Sequence, residues 1–286
     1  MVKIGFSLQQ QYEYPITQVI QLLSTAGFSA VSPIFSQELD LETIGNCVDK
    51  HNMTIQSLHA PHGGLYYLWN SKEPLSYKFQ KNITDCIDAC ANFQIPTMVM
   101  HGWQGLNYTF PDEALDFTVF DRIVDYAGEK GVSIAFENLE GEEYLEALMN
   151  RYVDRSYVGY CWDSGHDHCY PHNLNFLEKF GNRLVMTHIN DNLGLRDPEG
   201  VPSANDDLHF LPFDGNIDWE NTLSRLKNLP KQKILNFELK KRSASTAPND
   251  LIYDNFSTEE FIKLAEQRAR KTANLYEQII SEKTSP

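Results

Sequence analysis

The sequence predicts an α/β protein that folds as a (β/α)8 TIM barrel, a single domain that spans residues 1–286. Eight strand-like segments alternate with eight helical ones, and this alternation over 286 residues is typical of such a barrel. No linker, low-complexity tract or change of composition divides the chain. The alternative fold, a doubly wound open sheet, normally has a Gly-rich phosphate turn after an early strand. The loop that follows Phe6 has no such turn, which favours the barrel.

The predicted strands are short apolar segments, and those that precede Glu137 and Glu238 are runs of residues that favour β-structure. In chain order they are Val2–Ser7, Ala30–Phe35, Thr54–His59, Thr97–His101, Val132–Glu137, Val158–Asp163, Leu184–His188 and Lys233–Glu238. Because each is followed by a segment with helical spacing, all of them are expected to run parallel in one barrel.

The predicted helices have apolar residues three or four positions apart. In the first, this spacing stops at Gly27, and another helix is closed by Gly131, since glycine commonly ends a helix. The helices are Pro15–Thr25, Leu41–Asn52, Leu75–Phe93, Ala114–Lys130, Glu143–Asn150, Asn173–Phe180, Ile217–Leu229 and Thr258–Ser281. Two connections are long, 191–216 after the seventh strand and 240–257 after the eighth, and such loops usually build or cover a barrel's site.

The composition limits the classes of function. The net charge is −15, and broad binding to a nucleic-acid backbone requires clustered Lys and Arg, so no nucleic-acid partner is expected. No apolar run approaches the roughly 20 residues that a membrane span requires. The N-terminal segment reads as a strand and not as a signal peptide. Five cysteines without a framework spacing indicate free thiols, and hence a cytoplasmic protein.

Six of the predicted strands end in a residue that can bind a metal ion. Parallel barrel strands end at one rim, so these six side chains are expected to meet there. They are His59, His101, Glu137, Asp163, His188 and Glu238. His166 follows closely after Asp163. The long loop after the seventh strand adds Asp207 and His209, whose i, i+2 spacing places both side chains on one side of an extended segment.

Together these positions offer five imidazoles and four carboxylates, with no thiolate. Oxygen and nitrogen donors of this kind suit a divalent metal ion such as Mn²⁺, Mg²⁺, Co²⁺, Fe²⁺ or Zn²⁺. A single His at a strand end is usually a hydrogen-bonded packing residue. Glu137 and Glu238 follow apolar runs, however, and a carboxylate buried there needs a partner to offset its desolvation. The coincidence across six strands favours metal ligation by the group.

A few further residues are candidates for contacts near this rim. Trp103 is expected to form a wall of the substrate pocket, although Trp is as often a packing residue. Asn138 and Asn190 each stand beside a proposed ligand and are expected to hydrogen-bond a substrate hydroxyl or to orient a ligand. His62 has two interpretations, a substrate contact or a turn residue within Ala60-Pro61-His62-Gly63-Gly64, of which the turn is favoured.

Several motifs resemble one known group of barrels. They are Ser57-Leu58-His59-Ala60-Pro61, Phe136-Glu137-Asn138, Asp163-Ser164-Gly165-His166, His188-Ile189-Asn190-Asp191-Asn192 and Asp207-Leu208-His209. They resemble, over essentially the whole chain, the xylose isomerase-like TIM barrel superfamily, which contains sugar phosphate isomerases and epimerases and the abasic-site nucleases of AP endonuclease family 2. The resemblance implies one shared metal position built from Glu137, Asp163, His188 and Glu238. In the nuclease branch three zinc ions are held by these residues and by His59, His101, His166, Asp207 and His209.

The resemblance to the sugar branch implies a metal-dependent isomerase or epimerase of a sugar or sugar phosphate, which acts by proton transfer through a metal-stabilised enediolate. Glu137 and Glu238 are expected to be its catalytic base and acid. The expected metal ligands are Glu137, Asp163, His188, Glu238, His166, Asp207 and His209. The expected substrate-binding residues are His59, His101, His166, Asn138 and Trp103. The partner would be a small-molecule sugar, and a homo-oligomer is compatible with the sequence.

Two alternatives remain open at this stage. The first is an endonuclease IV-like abasic-site phosphodiesterase with a three-zinc site, because all nine of the nuclease-type positions are filled. The acidic charge argues against it, as does the lack of a loop with several Arg and an aromatic residue to insert beside a flipped nucleotide. The second is a barrel that binds a sugar without turnover.

Overall fold

The computed structural model describes residues 1–9, 12–242 and 250–282, and these form a TIM barrel. Within the described residues the strands are β1 (Lys3–Leu8), β2 (Ala30–Pro33), β3 (Thr54–Ile55), β4 (Leu58–His59), β5 (Thr97–His101), β6 (Ser133–Glu137), β7 (Val158–Asp163), β8 (Leu184–His188) and β9 (Ile234–Phe237). β3 and β4 are two parts of the third predicted strand, so the eight predicted strands are all present.

Two parallel sheets build the barrel. One has the strand order β3-β2-β1-β9 and the other the order β4-β5-β6-β7-β8. A parallel bridge between Ile34 and His59 joins β2 to β4, and another between Ile189 and Phe237 joins β8 to β9. These two bridges close the ring of strands, so the last residues of all strands face the same end of the barrel.

The helices lie between successive strands, as the spacing predicts. In the described part of the chain they are α1 (Ile16–Ala26), α2 (Leu41–Lys50), α3 (Pro74–Asn92), α4 (Thr118–Lys130), α5 (Glu142–Arg151), α6 (Ser164–Cys169), α7 (Phe176–Phe180), α8 (Trp219–Ser224) and α9 (Thr258–Ser281). Gly27 and Gly131 end α1 and α4 in the left-handed conformation, with φ of 119° and 71°. Glycine has no Cβ, so it adopts this conformation without steric strain.

The structure corrects the sequence prediction around three helices. α6 begins directly after β7, where the sequence shows only a short polar stretch, and the Asp163 side chain caps it by accepting from His166 N. The helix predicted over 173–180 is reduced to α7, and the one predicted over 217–229 is reduced to α8. Side-chain caps at Asn175 and Asp218 set the observed starts of α7 and α8.

The inside of the barrel has its own small apolar cluster, separate from the main core. It consists of Val99, Ala135, Cys161 and Met186, none of them more than 1% exposed. Each of these residues lies two positions before the last residue of β5, β6, β7 or β8, and side chains two positions apart on a strand share a face. The strand-end side chains therefore also face inward. The apolar cluster lies one layer beneath them, and we refer to it as the apolar floor.

The two long connections differ in what can be described. The 191–216 connection returns to the barrel through an antiparallel bridge between Asp191 and Phe210. The predicted loop 240–257 lies partly outside the described residues, which omit 243–249. Among the helices of the described chain, none has the length and apolar character that crossing a membrane demands.

Candidate metal centre

The inward-facing strand ends form one buried cluster at the rim of the barrel. All nine residues that the sequence singles out belong to it, and each contacts at least one other member. Eight of them are at most 6% exposed, while Asp207 is partly exposed. They are His59, His101, Glu137, Asp163, His166, His188, Asp207, His209 and Glu238. Strands far apart in sequence thus bring ionisable side chains to one place, as the barrel geometry predicts.

Glu137, at the end of β6, is the centre of this cluster. Its Oε2 lies 3.2 Å from His59 Nε2 and 3.2 Å from His101 Nε2. Its Oε1 lies 2.9 Å from His188 Nδ1 and 3.6 Å from His166 Nδ1. One carboxylate oxygen therefore faces the β4–β5 side of the rim, and the other faces β8 and the start of α6.

A compact group of four ligand-type residues surrounds the Oε1 side of Glu137. The potential ligand atoms of Glu137, Asp163, His188 and Glu238 all lie within 4.8 Å of one another, and all four residues are buried. His188 Nδ1 is 2.5 Å from Glu238 Oε2 as well as 2.9 Å from Glu137 Oε1. Three carboxylates buried around one imidazole carry more negative charge than that imidazole can balance, so the group is suited to a cation.

A second group of three ligand-type residues lies next to it, where the 191–216 connection passes over the rim. His166 Nε2 is 3.4 Å from Asp207 Oδ2, and His209 Nε2 is 2.8 Å from the same oxygen. Their potential ligand atoms fall within 4.8 Å of one another. His209 has a φ of 50°, a strained conformation for a residue with a side chain, and such strain is frequent at functional sites.

Main-chain carbonyls fix the orientation of three of the imidazoles. In each case Nδ1 donates its proton to a carbonyl oxygen, so in the neutral form of the ring Nε2 is the atom that can bind a cation. The pairs are His59 with Ala60 (2.8 Å), His166 with Asn138 (2.8 Å) and His209 with Glu238 (3.0 Å). The fold therefore presents the Nε2 atoms of these rings in a defined direction.

Asp163 is held by two neighbours that the sequence singles out, His166 and Asn190. Its Oδ1 accepts from His166 N at 2.7 Å and its Oδ2 accepts from Asn190 Nδ2 at 2.8 Å. Asn190 is itself fixed, because its N–H and C=O exchange hydrogen bonds with the Ser164 hydroxyl. Gly165 leaves the space for this, since a Cβ there would lie 1.8 Å from Asn190 Oδ1. Asn190 thus orients the Asp163 carboxylate, which agrees with one of the two roles expected of it.

Asn138 does not have the surroundings expected of a substrate contact. It is fully buried, and its Oδ1 accepts from Tyr160 OH and Asp163 N, while its Nδ2 donates to Asp163 O. These bonds occupy the side chain within the protein and lock β7 against the end of β6. These bonds fit the second of the two roles predicted for Asn138, that of orienting a neighbour, here the Asp163 backbone, and the substrate contact stays a prediction.

Trp103 also packs within the protein. Its ring stacks on Tyr144 with centroids 4.4 Å apart and 6° between the planes, and its Nε1 donates to Gly105 O. A Cβ on Gly141 would touch the same indole. These contacts favour the packing interpretation of Trp103 over a substrate-binding wall.

Within the buried cluster, imidazoles and carboxylates shift one another's pKa values. Burial alone would raise the pKa of Glu137, but His188 and His101 outweigh it and hold that pKa well below the usual range. Burial raises the pKa of Asp163 to about 7. Burial would likewise lower the pKa of His188, yet the surrounding Cys161, Glu137 and Glu238 raise it well above its ordinary value. The imidazole and the carboxylates therefore depend on each other for their charged forms.

His62 is closer to the cluster than the favoured turn interpretation implies. Its ring centroid lies 4.5 Å from that of His59 and 5.3 Å from that of His101, with only 26° between the planes in the second pair. Its Nδ1 is buried and has no hydrogen-bond partner among the described residues. The available signal in the sequence was a second histidine only three residues after His59. The two glycines that follow His62 favoured the turn interpretation instead.

The donor set fits a divalent cation on three counts. Carboxylate and imidazole donors converge in groups whose atoms lie within 4.8 Å. Three buried carboxylates share one imidazole, as described above. Finally, Asp207 Oδ1 and His101 Nδ1 are buried without a hydrogen-bond partner in the described chain, and buried polar atoms in native proteins are nearly always satisfied.

Comparison with known proteins identifies the family. A family model described as xylose isomerase-like TIM barrel matches residues 20–259, so the chain belongs to that family. A stretch of 129 residues is 37% identical to the uncharacterized protein y4fM of Sinorhizobium fredii. That match covers 43% of this chain and only 38% of the relative, well under two thirds of its length.

Solved structures with the same fold include an IolI protein with a bound zinc atom, with a TM-score of 0.72. The two sequences are 20% identical, and the match covers 99% of this chain and 100% of the IolI chain. A D-tagatose 3-epimerase-like protein is similar with a TM-score of 0.68 and 19% identity, over 99% of this chain and 100% of that one. At these identities the likeness establishes the barrel fold.

Proposed function

We propose that this member of the xylose isomerase-like TIM barrel family is a metal-dependent isomerase or epimerase of a small sugar or sugar phosphate. The observation that carries the proposal is the group formed by Glu137, Asp163, His188 and Glu238. In this group the last residue of β6 and the residue directly after β9, both glutamates, approach one imidazole. The structural similarity to a D-tagatose 3-epimerase-like protein supports the same class of reaction.

In the proposed reaction, Glu137 and Glu238 exchange a proton with the substrate. One carboxylate takes the proton from the carbon next to the carbonyl, which leaves an enediolate. For epimerisation the other glutamate, which must first gain a proton although the neighbouring histidines hold its pKa low, returns a proton to the same carbon on its opposite face. For isomerisation a proton is delivered to the neighbouring carbon. Both carboxylates are nearly buried, so they act away from bulk water.

The four-residue group would hold the divalent cation, which when bound supplies Lewis-acid polarisation of the substrate carbonyl. His166, Asp207 and His209 are proposed as additional ligands on the neighbouring side. His59 and His101 present their rings beside Glu137 and are proposed to bind substrate hydroxyls in this reaction. The rim above the apolar floor thus combines a charged centre with imidazole side chains.

The test is exchange of solvent deuterium into ketose substrates, measured for a panel of ketoses with Mn²⁺. We expect Glu137→Gln and Glu238→Gln each to lower the exchange rate at least about 100-fold, because general acid–base groups typically contribute that much. The matched control is Glu142→Gln, a buried glutamate that accepts from Asn173 N outside the cluster and should leave exchange intact. Full exchange in both cluster variants, with the fold retained, would refute the assignment.

A second candidate is hydrolysis of a phosphodiester at abasic DNA with three metal ions. One observation favours it, namely that all nine side chains of the nuclease-type set meet at this rim. The net charge of −15 is unfavourable for a DNA partner. Cleavage of an abasic duplex by the zinc-loaded protein would support this candidate, and absence of cleavage together with ketose turnover would exclude it. Sugar binding without any product would instead indicate a non-catalytic barrel.

A further inference from the structure

Asp207 and His209 reach the rim from the long connection after β8 and not from a strand end. A side chain on a loop is positioned less precisely than one on a strand, unless neighbouring segments hold the loop. Two sets of hydrogen bonds flank these two residues, one at Asp206 and one at Leu211. Both sets lead to the same segment of the chain, residues 250–256 after β9.

Arg196 makes the first set of hydrogen bonds. Its Nε donates to Asp206 Oδ1 at 3.0 Å, and its Nη2 donates to Asn205 O at 2.5 Å. Its Nη1 donates to both carboxylate oxygens of Asp250, at 2.9 and 2.8 Å. Asp206 and Asp250 are only 3% and 2% exposed, and the guanidinium between them offsets the desolvation of their charges. Arg196 therefore links the residue before Asp207 to the segment after β9.

Asp206 passes this link on to Asp207 through one short turn. Its Oδ2 accepts from Ser203 N at 3.0 Å, and the Ser203 side chain in return caps the single 3-10 turn Ala204–Asp206. One carboxylate oxygen of Asp206 thus bonds the guanidinium, while the other closes the turn. Because Asp207 follows this turn directly, a change at Arg196 is expected to displace the Asp207 carboxylate as well.

Tyr253 makes the second set, on the other side of His209. Its hydroxyl accepts from Leu211 N at 2.9 Å and donates to Asp214 Oδ2 at 2.9 Å. Its ring meets that of Phe210 edge-on, with centroids 6.0 Å apart and 84° between the planes. Tyr253 is buried. The two rim residues of the connection therefore lie between two links to the segment 250–256.

We propose that Arg196, Asp250 and Tyr253 are positioning residues, which hold Asp207 and His209 in the geometry in which these two bind the cation. The segment after β9 then controls part of a site to which the connection after β8 supplies the side chains. Since Asp207 and His209 are ligands only under the proposed function, this positioning role rests on it.

Arg196→Gln and Asp250→Asn distinguish positioning from simple electrostatics by the sign of their effects. By charge alone, loss of the arginine would strengthen cation binding, and loss of the aspartate would weaken it. If both residues position Asp207, both variants bind the cation more weakly. We expect Arg196→Gln to lower the manganese affinity of the chelator-stripped protein about 10-fold in isothermal titration, as for other residues that orient a ligand.

Asp250→Asn should lower the manganese affinity less than Arg196→Gln, because the amide oxygen of Asn can still accept from Arg196 Nη1. The double variant should bind as weakly as Arg196→Gln alone, since Asp250 acts through Arg196. Hydrogen exchange over residues 204–211 should become faster in both single variants. The matched control is the same pair of exchanges in an exposed ion pair on the outer surface, Arg155→Gln and Asp125→Asn, which should change neither measurement.

Tyr253→Phe tests the second link if Arg196→Gln folds poorly. It removes only the hydroxyl that Leu211 N and Asp214 share, and it should also lower the manganese affinity. Folded variants that lose stability but keep the wild-type affinity would overturn the proposal, since the links would then be structural only. Tighter binding by Arg196→Gln, the result that charge alone predicts, would overturn it too. A wild type that binds no manganese would instead refute the proposed function and this role together.

Discussion

Asp163 shows how much a ligand-type side chain depends on a neighbour that has no side chain at all. Its Oδ2 is held by Asn190 Nδ2, while Asn190 Oδ1 lies where a Cβ on Gly165 would stand, only 1.8 Å away. Gly165 sits in the first turn of α6, directly after the strand that carries Asp163. The orientation of this carboxylate therefore requires glycine here for close approach, and no positive φ is involved.

Gly165→Ala is expected to weaken metal binding without removing a ligand. The added methyl group would push Asn190 away and release Asp163, and losing a partner that orients a ligand typically costs about 10–100-fold in metal affinity. Isothermal titration of the stripped protein with manganese measures the change. The matched control is Gly45→Ala, since a Cβ at that position in α2 meets nothing within 4 Å. The control should keep its affinity and gain up to about 1 kcal/mol of stability.

Unchanged manganese affinity in Gly165→Ala would contradict the role given to Asn190. A variant that failed to fold would be recognised by its circular dichroism, and Asn190→Ala would then test the same contact from its other partner. In that variant the Asp163 side chain keeps only the His166 N–H as a hydrogen-bond donor, so the same loss of affinity is expected.

Among the strands and helices, the strand ends were the most predictable part. In strands such as β6, a buried apolar run ends in an ionisable residue, here Glu137. This pattern indicates both that the segment is a strand and which of its ends lies at the site. α6 could not be predicted, because its six residues show no apolar periodicity and its start depends on a side-chain cap by Asp163. The position of His62 was equally hidden, since it depends on the packing of two histidines from neighbouring strands.

Asp191 organises the connection that follows β8. Its Oδ1 accepts from Asn192 N and Ile217 N, and its Oδ2 accepts from Phe213 N and Trp219 Nε1. This carboxylate is fully buried, and it ties the start of the connection to its far end. The strand-like bridge that carries Phe210, next to the cluster residue His209, is part of the same unit.

Asp191→Asn is expected to loosen this connection. The amide nitrogen of Asn cannot accept, so two donors lose their partner, and each unsatisfied buried donor costs about 1–3 kcal/mol. Denaturant unfolding and hydrogen exchange over residues 210–219 measure the effect. Asp218→Asn is the control, because Asp218 is an N-cap on the same segment and Asn caps as well as Asp. Equal protection in the two variants would contradict the organising role of Asp191.

For the barrel as a whole, the order of the elements and the site's location were predictable for one physical reason. Parallel strands place their last residues at one end, so a list of strand-end residues is also a list of neighbours. The sequence does not reveal which side chains make their hydrogen bonds and packing contacts within the protein and are therefore not available to a substrate. Asn138 and Trp103 illustrate this, because their hydrogen bonds and stacking are made with residues distant in sequence.

The carboxylates of the four-residue group are buried, so a bound cation is expected to stabilise the whole barrel. A ligand that binds only the folded state stabilises it by about 2.7 kcal/mol at one hundred times its Kd. We therefore expect manganese or zinc to raise the melting temperature of the chelator-stripped protein, measured by calorimetry. Asp163→Asn should lose most of this rise, because it removes one carboxylate of the four-residue group.

The same variant leaves the buried Asn190 Nδ2 without its acceptor, which should cost the stripped protein about 1–3 kcal/mol. Part of this cost is offset, because burial raises the pKa of Asp163 to about 7 and an ionised carboxylate there is unfavourable. Asn also retains the capacity to cap α6. The control is Asp125→Asn, an exposed carboxylate paired with Arg155 on the outer surface, which should keep the full metal-dependent rise. A wild type that melts at the same temperature with and without metal would contradict the cation-binding role of the rim, because burying these carboxylates together would then have no balancing ion.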